Sequence, residues 1–233
     1  MKAMRIAVVT GGGRGIGLAT ARQLRSDGFT VVVADLRPPD EEGLAFVRTD
    51  VSDRASVEAL FAGLERVDAL VNNAAINIRS PFLETDPADV ERVWAVTLWG
   101  VFHCTQLAAR AMVSQGGGGA IVMVSSVHAE RGYANSTAYN GAKAAVNQMA
   151  KTWAGELAPH RIRVNCVEPG WTDTPGERKF FTEAQIQEQG SRLPWGRLAA
   201  PEEIASAIRY LVSPQASYIT GSVLKVDGGI TLP

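Results

Sequence analysis

Short apolar runs rich in β-branched residues recur along the chain, with longer segments of helical spacing between them. Ile6 to Val9, Val31 to Ala34, Ala69 to Val71, Ile121 to Val124, Ile162 to Val167 and Val223 to Val226 are the strand candidates. Such near-continuous apolar runs suit buried strands. Helical spacing covers Ile16 to Asp27, Ser56 to Leu64, Ala88 to Ser114, Ala138 to Leu157 and Pro201 to Val212. The alternation predicts an α/β fold with a doubly wound parallel sheet. A further strand should end near Asp50-Val51, and Pro38 and Pro39 should shorten or remove the helix before it. With no repeat, charge block or linker-like stretch, residues 1–233 read as a single domain.

The first strand-to-helix turn is Thr10-Gly11-Gly12-Gly13-Arg14-Gly15-Ile16-Gly17. The pattern G-x-G-x-x-G fits it in no register, whereas T-G-x-x-x-G-x-G fits with Gly11, Gly15 and Gly17. Glycines let backbone approach a pyrophosphate, and the helix start offers unpaired N–H groups. Asp35 closes the second strand, where a carboxylate accepts ribose hydroxyls and repels a 2′-phosphate. Arg14 and Arg37 would instead attract such a phosphate; the carboxylate on the ribose favours NAD over NADP. Asp50-Val51 is a candidate border for an adenine ring, or simply the turn before the next helix. Asn72-Asn73-Ala74-Ala75 follows the next strand with small side chains that leave room for a cofactor.

Ser125 to Lys143 brings candidate chemistry. Two serines follow a strand, and Tyr139 and Lys143 stand one turn apart on a helix. A free phenol titrates near ~10, and a nearby cation favours its phenolate. An isolated Tyr-x-x-x-Lys is more often an ordinary helix surface.

Composition narrows the partners. The chain has 23 basic and 24 acidic residues, net charge −1. The charges are mixed, without the basic stripe of a nucleic-acid binder or a polybasic membrane segment. Its N-terminal apolar run is too short for a secretory signal, and no run reaches membrane-spanning length. Cys104 and Cys166 read as core residues, no cluster suggests a metal, and a cytoplasmic protein is expected.

Taken in order, these motifs resemble the short-chain dehydrogenase/reductase family over nearly the whole chain. The resemblance rests on Thr10 to Gly17, Asp35, Asp50-Val51, Asn72 to Ala74, and Ser126, Tyr139 and Lys143 at the family's spacing. It continues through Asn165 to Gly170, Thr172, Thr174, Thr220-Gly221 and Asp227 to Gly229. It implies a Rossmann fold and an NAD(P)-dependent oxidoreductase. Tyr139 would be the general acid/base, Ser126 rather than Ser125 would bond the substrate oxygen, and Lys143 would bind the nicotinamide ribose and depress the tyrosine's pKa. Gly11, Arg14, Gly15, Ile16, Gly17, Asp35, Asp50, Val51, Asn73, Ala74, Ala75, Pro169, Gly170, Thr172 and Thr174 would line the cofactor site. Two positions depart from the pattern: Thr97 stands where asparagine usually supports a water-linked proton relay, and Ala75 where glycine is usual.

The substrate pocket implied by the resemblance is edged by His128, Trp171 and a lid-like segment at about 171–195, with a possible helix at Thr182 to Gln189. His128 and Trp171 suggest a small polar or ring-shaped alcohol, such as a sugar or polyol. The family also implies a homotetramer or homodimer, built on long helices and a C-terminal segment containing Ile230, Leu232 and Pro233. Two other readings compete with an NAD-dependent alcohol dehydrogenase or ketone reductase. One is an NADP-dependent 3-oxoacyl-carrier-protein reductase, against which Asp35 and the balanced charge weigh. The other is a dinucleotide-binding sensor without turnover, against which the intact Ser126, Tyr139 and Lys143 set weighs.

Overall fold

The computed structural model describes residues 4–39 and 41–232. Seven parallel strands form one sheet: β1 (Arg5–Thr10), β2 (Phe29–Asp35), β3 (Ala45–Arg48), β4 (Ala69–Asn72), β5 (Gly119–Val124), β6 (Ile162–Pro169) and β7 (Val223–Val226). Their order is β3-β2-β1-β4-β5-β6-β7. The chain therefore reverses direction across the sheet at β1 and β4, and the strand ends there open a crevice. The doubly wound parallel α/β sheet expected from the sequence is observed.

The described residues form seven α-helices, α1 (Gly15–Ser26), α2 (Arg54–Ala62), α3 (Pro87–Trp94), α4 (Gly100–Gln115), α5 (Thr137–Leu157), α6 (Glu183–Ser191) and α7 (Pro201–Val212), of which α1, α2, α4, α5 and α7 pack on the sheet. Strand side chains alternate between two cores. Ile6, Val8 and Leu70 join α2, α4 and α5 on one face. Ala7, Val9 and Val71 join Leu24 of α1 and Ile204 and Ile208 of α7 on the other. Burial on both faces explains why these strands read as unbroken apolar runs.

Three expectations need correction or refinement. β3 stops at Arg48, short of Asp50-Val51; it is a partly exposed edge strand paired with β2 alone, so no apolar run marks it. No helix lies between β2 and β3 among the described residues. The helix expected over Ala88 to Ser114 is α3 and α4 joined through a π-helical turn at Ala95–Trp99. Thr97, in that turn, is fully buried. α6 starts at Glu183 with Thr182 as its cap, its hydroxyl accepting from Gln185 N while the Gln185 side chain bonds Thr182 N. Pro233 lies outside the described residues.

Glu168 in β6 is buried with 0% exposure. Its Oε1 accepts from Asn147 Nδ2 at 2.5 Å, while its Oε2 has no partner. Burial raises its carboxyl above the usual range, against the hydrogen bond from Asn147. The folded protein thus holds this proton more tightly than the unfolded chain, so the group's contribution is fully present below the unfolded pKa of about 4.3 and is lost as pH rises through the folded value. Glu168→Gln should stabilise the protein at neutral pH, with the advantage shrinking toward pH 4. Thermal melts of both proteins across that range test it; parallel pH profiles would refute it.

Candidate active site

β5 ends at Val124 and releases Ser125 and Ser126 at the edge of the crevice, and α5 brings Tyr139 and Lys143 beside them. The Lys143 ammonium is 2% exposed and donates from Nζ to the Val124 carbonyl at 2.6 Å. Ser125 Oγ donates to the Lys143 carbonyl at 3.4 Å, so the first serine braces α5 against β5. Both serines line the cavity, but it is Ser126 whose Oγ accepts from His128 N at 3.2 Å and shares a hydrogen bond with the Tyr139 phenol. This division supports Ser126 over Ser125.

Burial pushes the Tyr139 phenol up to about 12, while a hydrogen bond to Ser126 pulls it back. The depression expected from Lys143 is absent: the ammonium engages Val124 and lies 5.4 Å from the phenol ring centre. Burial lowers Lys143 itself to about 8, because the charged form loses its water. His128 stacks on Tyr133 at 4.1 Å and meets the Tyr139 ring edge-on at 5.3 Å. Its Nδ1 lies 2.6 Å from Asn140 Oδ1, and Asn140 is oriented by donating from Nδ2 to the Tyr133 carbonyl. That arrangement puts the proton on Nδ1, and burial lowers the imidazole's pKa, favouring the neutral ring.

These groups face a cavity of about 520 Å³. It also takes in Ile16, Asn73, Ala75, Pro169, Gly170 and Trp171, with Thr172 and Thr174. Gly11, Arg14, Gly15, Gly17, Asp35, Asp50, Val51 and Ala74 lie outside that cavity. Asp50 Oδ1 accepts from Ser52 N and Oγ, making a local turn, and Val51 is buried. A Cβ on Gly100 would lie 2.7 Å from a Val51 methyl, so the long helix packs there without a side chain.

The glycine turn forms a cradle that fits a dinucleotide. A Cβ on Gly17 would fall 2.3 Å from the Gly11 carbonyl, and one on Gly11 would fall 2.9 Å from Ala74 Cα. Thr10 Oγ1 accepts from Asn73 N and Ala74 N at 3.0 and 3.1 Å, tying β1 to the residues after β4. α1 starts with no side-chain cap, whereas Asp53 and Asp86 cap α2 and α3. Its first N–H groups are therefore left for an anion. Asp35 accepts from Gly13 N at 3.0 Å and from Arg37 N at 3.3 Å, which fixes its carboxylate beside the turn; Arg14 and Arg37 are exposed. Thr174 reaches back to within van der Waals distance of a Cβ built on Gly15.

Among the lining residues that the sequence reading did not single out are Asn77, Arg79 and, within the 171–195 segment, Glu177. Arg79 Nη2 donates to Glu177 Oε2 at 3.3 Å, and Trp171 Nε1 donates to the same oxygen at 3.1 Å. The Arg79 guanidinium lies 4.4 Å from the Phe180 ring centre and 5.3 Å from that of Phe181. Their only sequence signals are a lone arginine in one loop and a glutamate in another. The 171–195 segment is pinned at its base, where Ala199 N donates to the Trp171 carbonyl and Asp173 N to the Ala199 carbonyl, both at 2.9 Å. Its basic residues Arg178 and Arg192 pair outward with Asp173, Glu183 and Glu188. Among the described residues no cluster of His, Cys, Asp and Glu is placed to hold a metal, and no helix is long and apolar enough to cross a membrane.

The profile of the family described as Enoyl-(Acyl carrier protein) reductase matches residues 11–231. A cis-4-hydroxycyclohexanecarboxylate dehydrogenase from Sinomonas cyclohexanicum is 43% identical, over 98% of this chain and 97% of its own. A 3-oxoacyl-(acyl-carrier-protein) reductase from Thermotoga maritima is 36% identical over 98% of each. Among solved structures, the ligand-free aldohexose dehydrogenase of Thermoplasma acidophilum superposes with a TM-score of 0.94 at 31% identity, covering 99% of this chain and 95% of its own.

Thr97, expected in the catalytic set, does not line the cavity; it is buried behind the loop after β4. Its Oγ1 accepts from Ile76 N and donates to the Ile76 carbonyl, each at 3.1 Å, so one hydroxyl holds the loop that leads to Arg79. Thr97→Val should cost about 1–2 kcal/mol, the worth of two hydrogen bonds. Urea denaturation reads this directly, and an unchanged midpoint would show that the clamp carries no stability.

Proposed function

The chain belongs to the short-chain dehydrogenase/reductase family and is an oxidoreductase acting on CH–OH groups, and on that premise we propose that it interconverts a compact secondary alcohol and its ketone with NAD. The observation that carries the reading is the convergence of Ser126, Tyr139 and Lys143 on one cavity beside the uncapped start of α1. When bound, the nicotinamide cofactor supplies the hydride acceptor for oxidation and the donor for reduction. Gly11, Gly15, Gly17 and the α1 N–H groups would hold its pyrophosphate, Asp35 its adenosine ribose, and Lys143 its nicotinamide ribose.

As the phenolate, having first given up its own proton, Tyr139 Oη accepts the hydroxyl proton in oxidation; as the phenol it donates a proton to the carbonyl oxygen in reduction. A phenol pushed up to about 12 is protonated at neutral pH, the state that reduction needs. Ser126 Oγ hydrogen-bonds the reacting oxygen. His128 Nε2, left as the acceptor by the Asn140 contact, can take a hydrogen bond from a substrate hydroxyl. Such a site suits a ring-shaped alcohol or a sugar, and relatives named for a hydroxycyclohexanecarboxylate and an aldohexose agree with that size. Asp35 supports NAD over NADP, and the single carboxylate beside the ribose position weighs against the carrier-protein reductase reading. We include self-association: Trp99 is 53% exposed and stacks edge-on with Phe102 on α4.

Tyr139→Phe should lower turnover about 1,000-fold while nicotinamide dinucleotide binding, read by calorimetry, persists; near-normal activity would remove the proposed acid/base. Asp35→Ala should shift the NAD:NADP ratio of kcat/KM by about 10-fold toward NADP. An unaltered ratio would contradict the ribose assignment.

A further inference from the structure

Arg79 stands out among the groups lining the cavity. Of the formally charged residues there, Lys143 is committed to the Val124 carbonyl, which leaves Arg79 and Glu177 facing each other. Their contact is loose. An arginine fork meeting a carboxylate closes to about 2.7–2.9 Å, often through two parallel bonds, whereas here a single bond spans 3.3 Å. Glu177 Oε2 is shared with the Trp171 indole, and Arg79 Nε is buried without any partner among the described residues. The rings of Phe180 and Phe181 flank the guanidinium and displace water from it. Arg79 lines the same cavity of about 520 Å³ as Ser126, His128 and Tyr139, so one small molecule can span it and the acid/base.

We propose that Arg79 is the anchor for a carboxylate on the substrate, and that Glu177 is a resident stand-in which that carboxylate displaces. The substrate class is a hydroxy acid in which the reacting carbinol and the carboxylate are separated by one ring or a short chain. The inference rests on the dehydrogenase reading above, because it takes Tyr139 and Ser126 as the far end of the same substrate. A planar guanidinium with an unpaired Nε and a single long bond gains most from a second, well-aligned carboxylate. Glu177 sits on a one-turn 3₁₀ segment, Glu177–Lys179, within the loop pinned at Trp171 and Ala199, so it can swing away without disturbing the sheet. In leaving, it takes with it the negative charge that opposes the substrate's own. Neutral sugars and polyols lack the group that Arg79 is built to receive, and they become the weaker substrates of this site.

The test compares 4-hydroxycyclohexanecarboxylate with its neutral carboxamide, following NAD reduction by the full chain. The wild type should favour the acid by about 30-fold in kcat/KM, mostly through KM, the scale of a charge-assisted pair. Arg79→Gln should erase that preference and Arg79→Lys should restore part of it. Equal use of acid and amide by the wild type would overturn the carboxylate assignment while leaving the dehydrogenase reading intact. Absence of turnover with every alcohol would count against the dehydrogenase reading instead. Calorimetric binding of cyclohexanecarboxylate to the NAD-loaded protein then decides the anchor on its own: expected for the wild type, lost in Arg79→Gln, and tightened several-fold in Glu177→Gln. No binding to the wild type, or equal binding to Arg79→Gln, sinks the proposal; weaker binding to Glu177→Gln sinks the stand-in role.

Discussion

The hydrogen bond from Lys143 Nζ to the Val124 carbonyl, 2.6 Å long, joins the helix that carries the tyrosine to the strand that delivers the serine. An ammonium buried to 2% exposure loses its water, and only firm partners offset that loss. Its pKa, lowered to about 8, measures the residual penalty. Because the end of β5 is held by both Lys143 and Ser125, the spacing of Ser126 from Tyr139 is fixed by backbone and packing rather than by either residue's own side chain. The cost of burying the lysine is the cost of holding the site in one geometry.

A second constraint acts at the other end of the crevice, where backbones meet so closely that side chains are excluded. Gly17 sits against Gly11, Gly11 against Ala74, and Thr10 and Asn73 lace the same junction with hydrogen bonds. The close fit between β1, β4 and α1 leaves the start of α1 bare of side-chain caps. One arrangement thus serves packing and, on the proposed reading, anion binding, and substitutions there would disturb both at once.

Between these two fixed ends, the 171–195 segment is the adaptable wall. Its neck is closed by backbone bonds, its outer charges are paired with one another, and its inner face offers Trp171, Glu177, Phe180 and Phe181 to Arg79. The catalytic end of the cavity is built on strands and a long helix, and the recognition end on loops. On the proposed reading, chemistry common to many alcohols and selectivity for one class fall to parts of different rigidity.

Much of this was legible in the sequence because it depends on local rules. Apolar runs marked strands buried on both faces, glycine spacing marked the turn, and helical period put Tyr139 and Lys143 on one face. The bounds of edge strand β3 and the π-helical turn at Thr97 escaped, since half-exposed strands lack an apolar run and a widened turn keeps helical periodicity. The pKa of Tyr139 went against expectation: adjacency along a helix says that a cation is near, but only packing decides where its charge is spent. Arg79, Asn77 and Glu177 were invisible for a related reason, as two loops far apart in sequence meet only once the sheet is assembled. The sequence alone determined the fold and nominated the proposed reacting groups, because both follow from short-range pattern. The proposed substrate class rests on tertiary structure alone, because it depends on which distant loop side chains the fold brings together and leaves incompletely paired.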